Sequence, residues 1–206
     1  MRQVLDKLGA TGGGAGAYLG VVFLIVAALV GFAAAGQIGA ARDEEAQGRL
    51  DHLLVRPLAR TRWLAGRLCV ALLFVVACGV VAGLFTSLGT ATQHTTFGAA
   101  RLLSAGVNAA VPAVLVLGIG AFLFGLWPRA AAAGVYAVLA WSLLVELVGG
   151  IGAASHWVLD TSVFHHVASA PAVPVDWAAD GLLTAGAGVA ALIGAAAFAR
   201  RDLQGA

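Results

Sequence analysis

Charge is what this chain has least of. Only 11% of its 206 residues are Asp, Glu, Lys or Arg, whereas a soluble globular domain carries roughly 25%. Hydrophobic residues make up 61% of the chain, and the mean hydropathy is +0.94. Several long runs of residues contain no charged side chain at all. Because a soluble protein does not expose so much apolar surface, the composition indicates an integral membrane protein.

Cysteine and clustered basic residues are scarce as well. Cys69 and Cys78, the two cysteines, lie nine positions apart in one apolar run, so they cannot pair and give no disulfide framework. The net charge is only +2, and the arginines form no patch of the kind that binds nucleic acid. The sequence has no nucleophile–base pair, glycine-rich phosphate loop or Gly-Lys-Ser/Thr motif. Neither nucleotide hydrolysis nor a cofactor is therefore expected of this chain itself.

Apolar runs of membrane length are abundant instead. A spanning helix needs about 20 mainly apolar residues. Five segments qualify, at about residues 17–41, 66–89, 104–127, 130–152 and 180–199. Trp127–Pro128 predicts a tight hairpin between the third and fourth spans, and Pro112 predicts a kink in the third span. The N-terminal residues 1–16 are too polar for the core of a signal peptide, which argues against a cleaved leader. The sequence predicts an all-α integral membrane fold of about five transmembrane helices in one domain, 1–206.

An island of charge at residues 42–67 separates the first two predicted spans. It holds six of the twelve basic residues and four of the ten acidic ones. Because cytoplasmic loops carry an excess of Lys and Arg, this loop is expected inside the cell. The turn at Arg129 and the C-terminus then lie in the cytoplasm too, while 90–103 and 153–179 lie outside. The chain is expected to be a multi-pass protein of the plasma or inner membrane.

Leucines within the island repeat at helical spacing. Leu50, Leu53, Leu54 and Leu58 stand at i, i+3, i+4 and i+8, which predicts one apolar stripe on a helix. Pro57 interrupts that helix, so a short amphipathic segment with a bend is expected. The remaining face carries charges of both signs, which favours docking into a partner protein over binding to anionic lipid.

Two polar residues lie inside predicted spans. Glu146 is an intramembrane carboxylate and therefore a functional-site hypothesis, although a residue near the outer end of a helix more often reaches headgroup water or bonds a neighbouring helix. Asn108 more often links helices than binds a substrate. Two glycine pairs, Gly16-x-x-x-Gly20 and Gly79-x-x-x-Gly83, are candidates for close helix approach or for a subunit interface.

The outer segment 153–179 is the second candidate region. Its three histidines and Asp160 are residue types that ligate zinc, but their spacing matches no metal motif, so no metal site is predicted. Its aromatics and prolines instead favour a re-entrant loop packed at the outer interface. Phe164 and His165 are its candidate gate residues, together with Glu146 and Asn108 in the spans.

Three motifs occur in a characteristic order. The first is Glu44-Glu45-x-x-Gly48-Arg49-Leu50-Asp51-x-Leu53-Leu54-x-x-Pro57-x-x-Arg60-x-x-Trp63. The second is Ser162-x-Phe164-His165-His166 followed by Pro171 and Pro174, and the third is Phe198-Ala199-Arg200-Arg201-Asp202-Leu203. In this order, over most of residues 40–203, they resemble the permease subunits of type-2 ABC exporters, in particular the polyketide and multidrug antibiotic exporters of actinobacteria.

The resemblance implies a function. In this family the segment between the second and third helices is a cytoplasmic coupling helix that docks on the ATPase, which here corresponds to residues 42–65. The residues implied in that coupling are Glu44, Glu45, Gly48, Arg49, Leu53, Leu54, Pro57 and Arg60. The chain is then a transport subunit rather than an enzyme. It moves a hydrophobic or amphipathic compound outward, such as an antibiotic, drug or lipid-like molecule, while ATP and Mg are bound by a separate ATPase subunit, a homodimer.

The number of spans departs from the family pattern. A family half-unit has six helices, so this chain corresponds to a half that lacks its first helix, and it resembles the second half of a two-half permease. A second permease half or a second copy is the implied partner within the lipid bilayer. Two other classes stay open: a membrane anchor or assembly subunit that moves nothing, and, less favoured, a membrane-embedded metal-dependent enzyme.

Overall fold

The computed structural model describes residues 14–47, 60–91, 97–150 and 155–200. The helices in these ranges are α1 (Gly14–Ala46), α2 (Arg60–Ala91), α3 (Ala99–Leu126), α4 (Pro128–Gly150), α5 (His156–Leu159) and α6 (Trp177–Arg200). Five of them, all except the single-turn α5, are long and apolar enough to cross a membrane. No strand occurs among the described residues. The predicted all-α integral membrane fold is confirmed.

The spanning helices overlap the five predicted segments and extend beyond several of them. α1 continues to Ala46 and α2 begins at Arg60, so both ends of the predicted coupling segment are helical. The residues that extend α1 include Arg, Glu and Ala, which are good helix formers. Residues 48–59, which hold the predicted amphipathic helix, lie outside the described residues.

α3 is the centre of the bundle and packs against each of the other four spanning helices. Most of its buried positions are Ala, Gly or Val. Small side chains are favoured at such contacts because helix association in lipid depends on close packing rather than on the hydrophobic effect. Pro112 lies fully buried inside α3, and the helix continues through it.

Glycines set the distance between α2 and α3. A Cβ atom built on Gly79 would lie 2.6 Å from the carbonyl oxygen of Gly106, and one built on Gly83 would lie 2.9 Å from that of Leu102. The predicted close approach at Gly79-x-x-x-Gly83 is therefore made, and its partner is a helix of the same chain. In the other predicted pair, a Cβ on Gly16 would lie 3.1 Å from the Phe97 ring and 3.5 Å from Ala172 Cβ, whereas one on Gly20 would meet no atom of the described residues within 4 Å.

α6 packs on α3 in the same manner. Cβ atoms built on Gly118 and Gly125 would collide with the backbone of Ala187 and Gly194, respectively. The two contacts follow the same order in both helices, so α3 and α6 run parallel. This close packing covers one side of α3 with α6.

The bundle has two chemically different ends. α2 and α3 are antiparallel, as the order of their glycine contacts shows, and so are α3 and α4, where Gly120 faces Val135 and Gly134 faces Leu123. The ends of α1, α3 and α6 and the beginnings of α2 and α4 therefore share one side, called here the arginine-rich end. It holds Arg42, Arg62, Arg67, Arg129 and Arg200. Residues 155–176 form the opposite side, the loop end.

Candidate functional site

The loop at residues 155–176 is tied to α3 by two side chains. Asn108 Nδ2 donates a hydrogen bond of 2.8 Å to the carbonyl oxygen of Ala168. The Arg101 guanidinium donates one of 3.0 Å to the carbonyl oxygen of Ala172. Asn108 is only 3% exposed. Asn108 was predicted to link helices, whereas its hydrogen-bond partner in the structure is the backbone of the loop.

The same loop is tied to α4 by a pair of serines. Fully buried Ser142 accepts a hydrogen bond from the backbone N–H of Val163 through its hydroxyl (3.1 Å). The hydroxyl of Ser162 donates to the carbonyl oxygen of Ser142 at 3.2 Å. Since Ser162 is itself buried, these bonds are shielded from solvent and fix the loop against the helix.

Phe164 follows directly after this serine contact and points into the protein. It is 5% exposed, whereas Trp157 on α5 is 86% exposed and Trp177 at the start of α6 is 57% exposed. Phe164, which was predicted as a gate residue, is therefore buried inside the protein. The two tryptophans lie on the surface at the loop end, where aromatic residues are favoured in membrane interfaces.

A cavity of about 410 Å³ lies beneath this loop. Its walls come from α1, α3, α4 and the loop, and nearly all the lining side chains are Gly, Ala, Val, Leu, Ile, Phe or Pro. Asn108, Glu146 and Ser169 are the exceptions. A concave, mainly apolar site with a few polar groups is the usual form of a small-molecule binding site. We call it the loop-end cavity.

The loop-end cavity opens sideways between α1 and α4. The two helices touch nearer the arginine-rich end, where the rings of Phe32 and Tyr136 have centroids 6.2 Å apart. Nearer the loop end, Ile25, Leu29 and Leu147 line the cavity and are also 54%, 63% and 53% exposed. The cavity therefore has an apolar rim on the lateral surface of the bundle, the surface that faces lipid in a membrane.

Glu146 stands in the wall of this cavity. Its carboxylate lies near the Ser162 hydroxyl and interacts electrostatically with His165. Its Oε2 atom is buried and has no hydrogen-bond partner among the described residues. Asn108, Glu146 and Phe164, three of the four residues predicted for a gate or an intramembrane polar site, thus line one cavity. His165 is exposed and is not part of the lining.

The histidines do not assemble a metal site with other residues of the described ranges. No group of three His, Cys, Asp or Glu side chains suited to a metal ion occurs there. His165 and His166 stand edge to face with ring centroids 6.3 Å apart, and His166 Nδ1 is hydrogen-bonded at 2.9 Å to the carbonyl oxygen of Ser162.

The arginine-rich end has a different construction. Glu44, on the last turns of α1, pairs with Arg67 of α2 at 2.5 Å, and the Arg67 guanidinium lies 5.9 Å from the ring centroid of Trp63. Trp63 also packs against Phe124 and Phe198, with ring centroids 6.4 and 6.1 Å away. The cluster of Trp63, Phe124 and Phe198 joins α2, α3 and α6, and the ion pair adds α1.

Comparison with known proteins identifies the family of this chain. A model of the family described as "Multidrug efflux system permease Rv1217c, C-terminal domain" matches residues 1–199. The chain belongs to this family. The multidrug efflux system permease protein Rv1217c of Mycobacterium tuberculosis (strain ATCC 25618 / H37Rv) is 28% identical over 216 residues, which cover 99% of this chain and 37% of that protein. The permease domain described here thus spans about 37% of the length of this curated relative.

Membership confirms the resemblance to multidrug exporter permeases. Trp63 of the first motif packs against Phe198 of the third motif. Two of the motifs on which the resemblance was based are therefore in contact, although they lie far apart in the sequence. Of the predicted coupling residues, Glu44 and buried Glu45 lie on the last turns of α1, and Arg60 is the first residue of α2. The others lie outside the described residues: Gly48, Arg49, Leu53, Leu54 and Pro57.

Some structurally decisive residues were missed by sequence reasoning. Ser142 is a single small polar residue in an apolar span, and although Ser162 begins the second motif, no spacing signalled that the two serines would meet. Arg101 is the one arginine between the second and third predicted spans. Its partner is the backbone carbonyl of Ala172, and a backbone contact of this kind cannot be predicted from residue types. Phe124 is one of nine phenylalanines, and nothing set it apart as the centre of an aromatic cluster.

Proposed function

We propose that this permease domain is the membrane-spanning part of an ATP-driven exporter that moves a hydrophobic or amphipathic compound outward. The observation that carries the proposal is the loop-end cavity, which is apolar and opens on the lateral surface of the bundle between α1 and α4. A compound dissolved in the bilayer reaches such a cavity without first entering water. A mere membrane anchor has no need of it.

Coupling to the energy source takes place at the arginine-rich end, which faces the cytoplasm. Residues 48–59 connect α1 to α2 and dock on a separate ATPase subunit that binds ATP and Mg, through the apolar stripe that the sequence predicts at Leu53 and Leu54. The Glu44–Arg67 ion pair and the aromatic cluster of Trp63, Phe124 and Phe198 join the adjoining ends of four helices. Movement of the docked segment therefore displaces these helices together, as packed elements do in shear and hinge motions.

The proposed assembly rests on the resemblance to exporter permeases. The ATPase is a homodimer, so a second permease half or a second copy of this domain completes the symmetric membrane part. The exporter resides in the cell membrane with the C-terminus of this domain in the cytoplasm. Nucleic acid has no part in it.

The test is transport by the permease that contains this domain, reconstituted in vesicles with its ATPase. Leu53→Asp and Leu54→Asp place a charge on the apolar stripe, so transport and stimulation of ATP hydrolysis are expected to be lost while the permease still inserts. His52→Asp places the same charge on the polar face and is the matched control, with activity expected near wild type.

Two outcomes would contradict the proposal. Full transport in both leucine variants would show that this segment does not couple. A wild-type permease that binds the ATPase but moves no compound would favour the anchor or assembly function instead.

A further inference from the structure

The loop-end cavity contains hydrogen-bond acceptors without donors. The side-chain amide of Asn108 donates one of its two N–H groups to the Ala168 carbonyl oxygen, whereas its Oδ1 atom is buried and has no partner among the described residues. The Oε2 atom of Glu146 is also buried and has no hydrogen-bond partner among the described residues. Both residues line the cavity. A buried acceptor without a donor is unfavourable because it has lost its hydrogen bonds to water, so a ligand that supplies donors is favoured here.

A third acceptor belongs to the backbone at the same level of α3. Pro112 has no N–H, so the carbonyl oxygen of Asn108, four residues earlier, does not receive the usual helical hydrogen bond from that position. Pro112 also lines the cavity. The polar part of this wall is therefore rich in oxygen acceptors, and the side-chain donors among its described lining residues are the Ser169 hydroxyl and the Asn108 amide, which already donates to Ala168.

The charge of the cavity has one sign. Among the described residues that line it, Glu146 is the sole Asp, Glu, Lys or Arg. An anionic compound meets a like charge there, and a neutral hydrocarbon leaves both acceptors unpaired. A protonated amine supplies N–H donors and a positive charge, and its apolar body fits walls that include Phe23, Phe32 and Phe164, whose ring faces also attract cations.

We propose that the loop-end cavity binds amphiphilic amines in their protonated form, with the ammonium group at Glu146 and Asn108 and the apolar body among the aliphatic and aromatic side chains. The exporter proposed above then carries hydrophobic cations. Only this last step rests on the proposed function, since binding itself requires neither ATP nor the ATPase.

The test uses three photoreactive probes with one scaffold. 4-(Aminomethyl)benzophenone is cationic, 4-(hydroxymethyl)benzophenone is neutral and 4-benzoylbenzoate is anionic. The permease that contains this domain is reconstituted in lipid nanodiscs without ATPase, irradiated with each probe, and digested for mass spectrometry. The amine is expected to label peptides of α1, α4 and the loop about tenfold more than the alcohol does at equal concentration, and the carboxylate least.

Substitutions locate the interaction. Glu146→Gln keeps the shape of the side chain and removes its charge, so amine labelling is expected to fall about tenfold, to the level of the alcohol. Asp180→Asn removes another buried carboxylate, on α6 outside the cavity lining, and is expected to leave labelling unchanged.

The outcomes separate the two proposals. Equal labelling by amine and alcohol, or amine labelling that survives Glu146→Gln, overturns the amine site while leaving coupled transport intact. Selective labelling that is lost in Glu146→Gln supports the site even in a permease that transports nothing. Labelling lost equally for all three probes in Glu146→Gln, with an altered melting temperature, would show a structural role for Glu146 and overturn its role as counter-charge.

Discussion

Asn108 joins the loop to the bundle and lines the cavity at the same time. One amide supplies the bond to Ala168 through its nitrogen and an acceptor to the cavity through its oxygen. The sequence predicted a link between helices, because an asparagine in a span usually bonds a neighbouring helix, and the observed link is to the loop instead. The role in the cavity depends on how α1, α3, α4 and the loop surround an empty volume. That volume is a property of packing and has no periodic signal in the sequence.

Phe164 is the residue at which loop packing and cavity shape are most directly connected. Phe164→Ala removes a buried side chain that lines the cavity, so the cavity becomes larger and its contacts with small compounds become weaker. We expect the preference of efflux to move toward bulkier compounds, measured as the ratio of transport rates for a large and a small analogue. Stability is expected to fall by at most about 3–5 kcal/mol, the usual cost of Phe→Ala in a core.

Two controls accompany the Phe164 variant. Trp157→Ala removes a larger aromatic from the same loop at a position that is 86% exposed, and it is expected to leave the transport ratio unchanged. Chelators are expected to have no effect on efflux. Stoichiometric zinc in the purified permease, lost together with activity in His165→Ala, would show that the loop is a metal site and that its role as a gate is wrong.

At the scale of elements, the spans were predictable and their arrangement was not. Hydropathy and length locate each apolar segment because every backbone polar group must be satisfied within a helix in lipid. The same apolar character surrounds each span, so the sequence does not show which helix is central. α3 takes that place through small residues that let α2 and α6 approach closely. The Gly79–Gly83 pair signalled one contact, whereas Gly194 lies in a helix where glycine and alanine recur throughout.

The contact between α3 and α6 gives a test with a matched control in one helix. A Cβ atom on Gly194 would collide with the backbone of Ala121 and Phe122, whereas one on Gly188 would meet no atom within 4 Å. Gly194→Ala is therefore expected to destabilise the domain by about 1–3 kcal/mol, as overpacking does. Gly188→Ala is expected to be neutral or slightly stabilising, because alanine has the higher helix propensity. Thermal unfolding of both variants in detergent checks this, and equal melting temperatures would contradict the close packing.

At the scale of the whole molecule, the two ends are built differently, and in the proposed exporter they have separate tasks. The arginine-rich end joins four helices through the Glu44–Arg67 ion pair and the aromatic cluster, and the loop end holds the cavity. α3 runs the full distance between them, with Phe124 in the cluster and Asn108 in the cavity wall. A displacement at the cluster therefore has a direct helical path to the cavity, which is what an exporter driven from one side requires.

This division of tasks depends on the orientation of the bundle in the membrane. The positive-inside bias predicts that the arginine-rich end is cytoplasmic. Gln47 lies at that end and exposed Val173 at the loop end. Single cysteines at these positions, in a background with Cys69 and Cys78 replaced by alanine, are expected to react with a membrane-impermeant maleimide from opposite sides of the membrane, Val173→Cys from outside the cell. Reaction of both from one side would contradict the fold itself. Reaction of Gln47→Cys from outside would preserve the fold but reverse its orientation, and it would remove the segment 48–59 from any cytoplasmic ATPase.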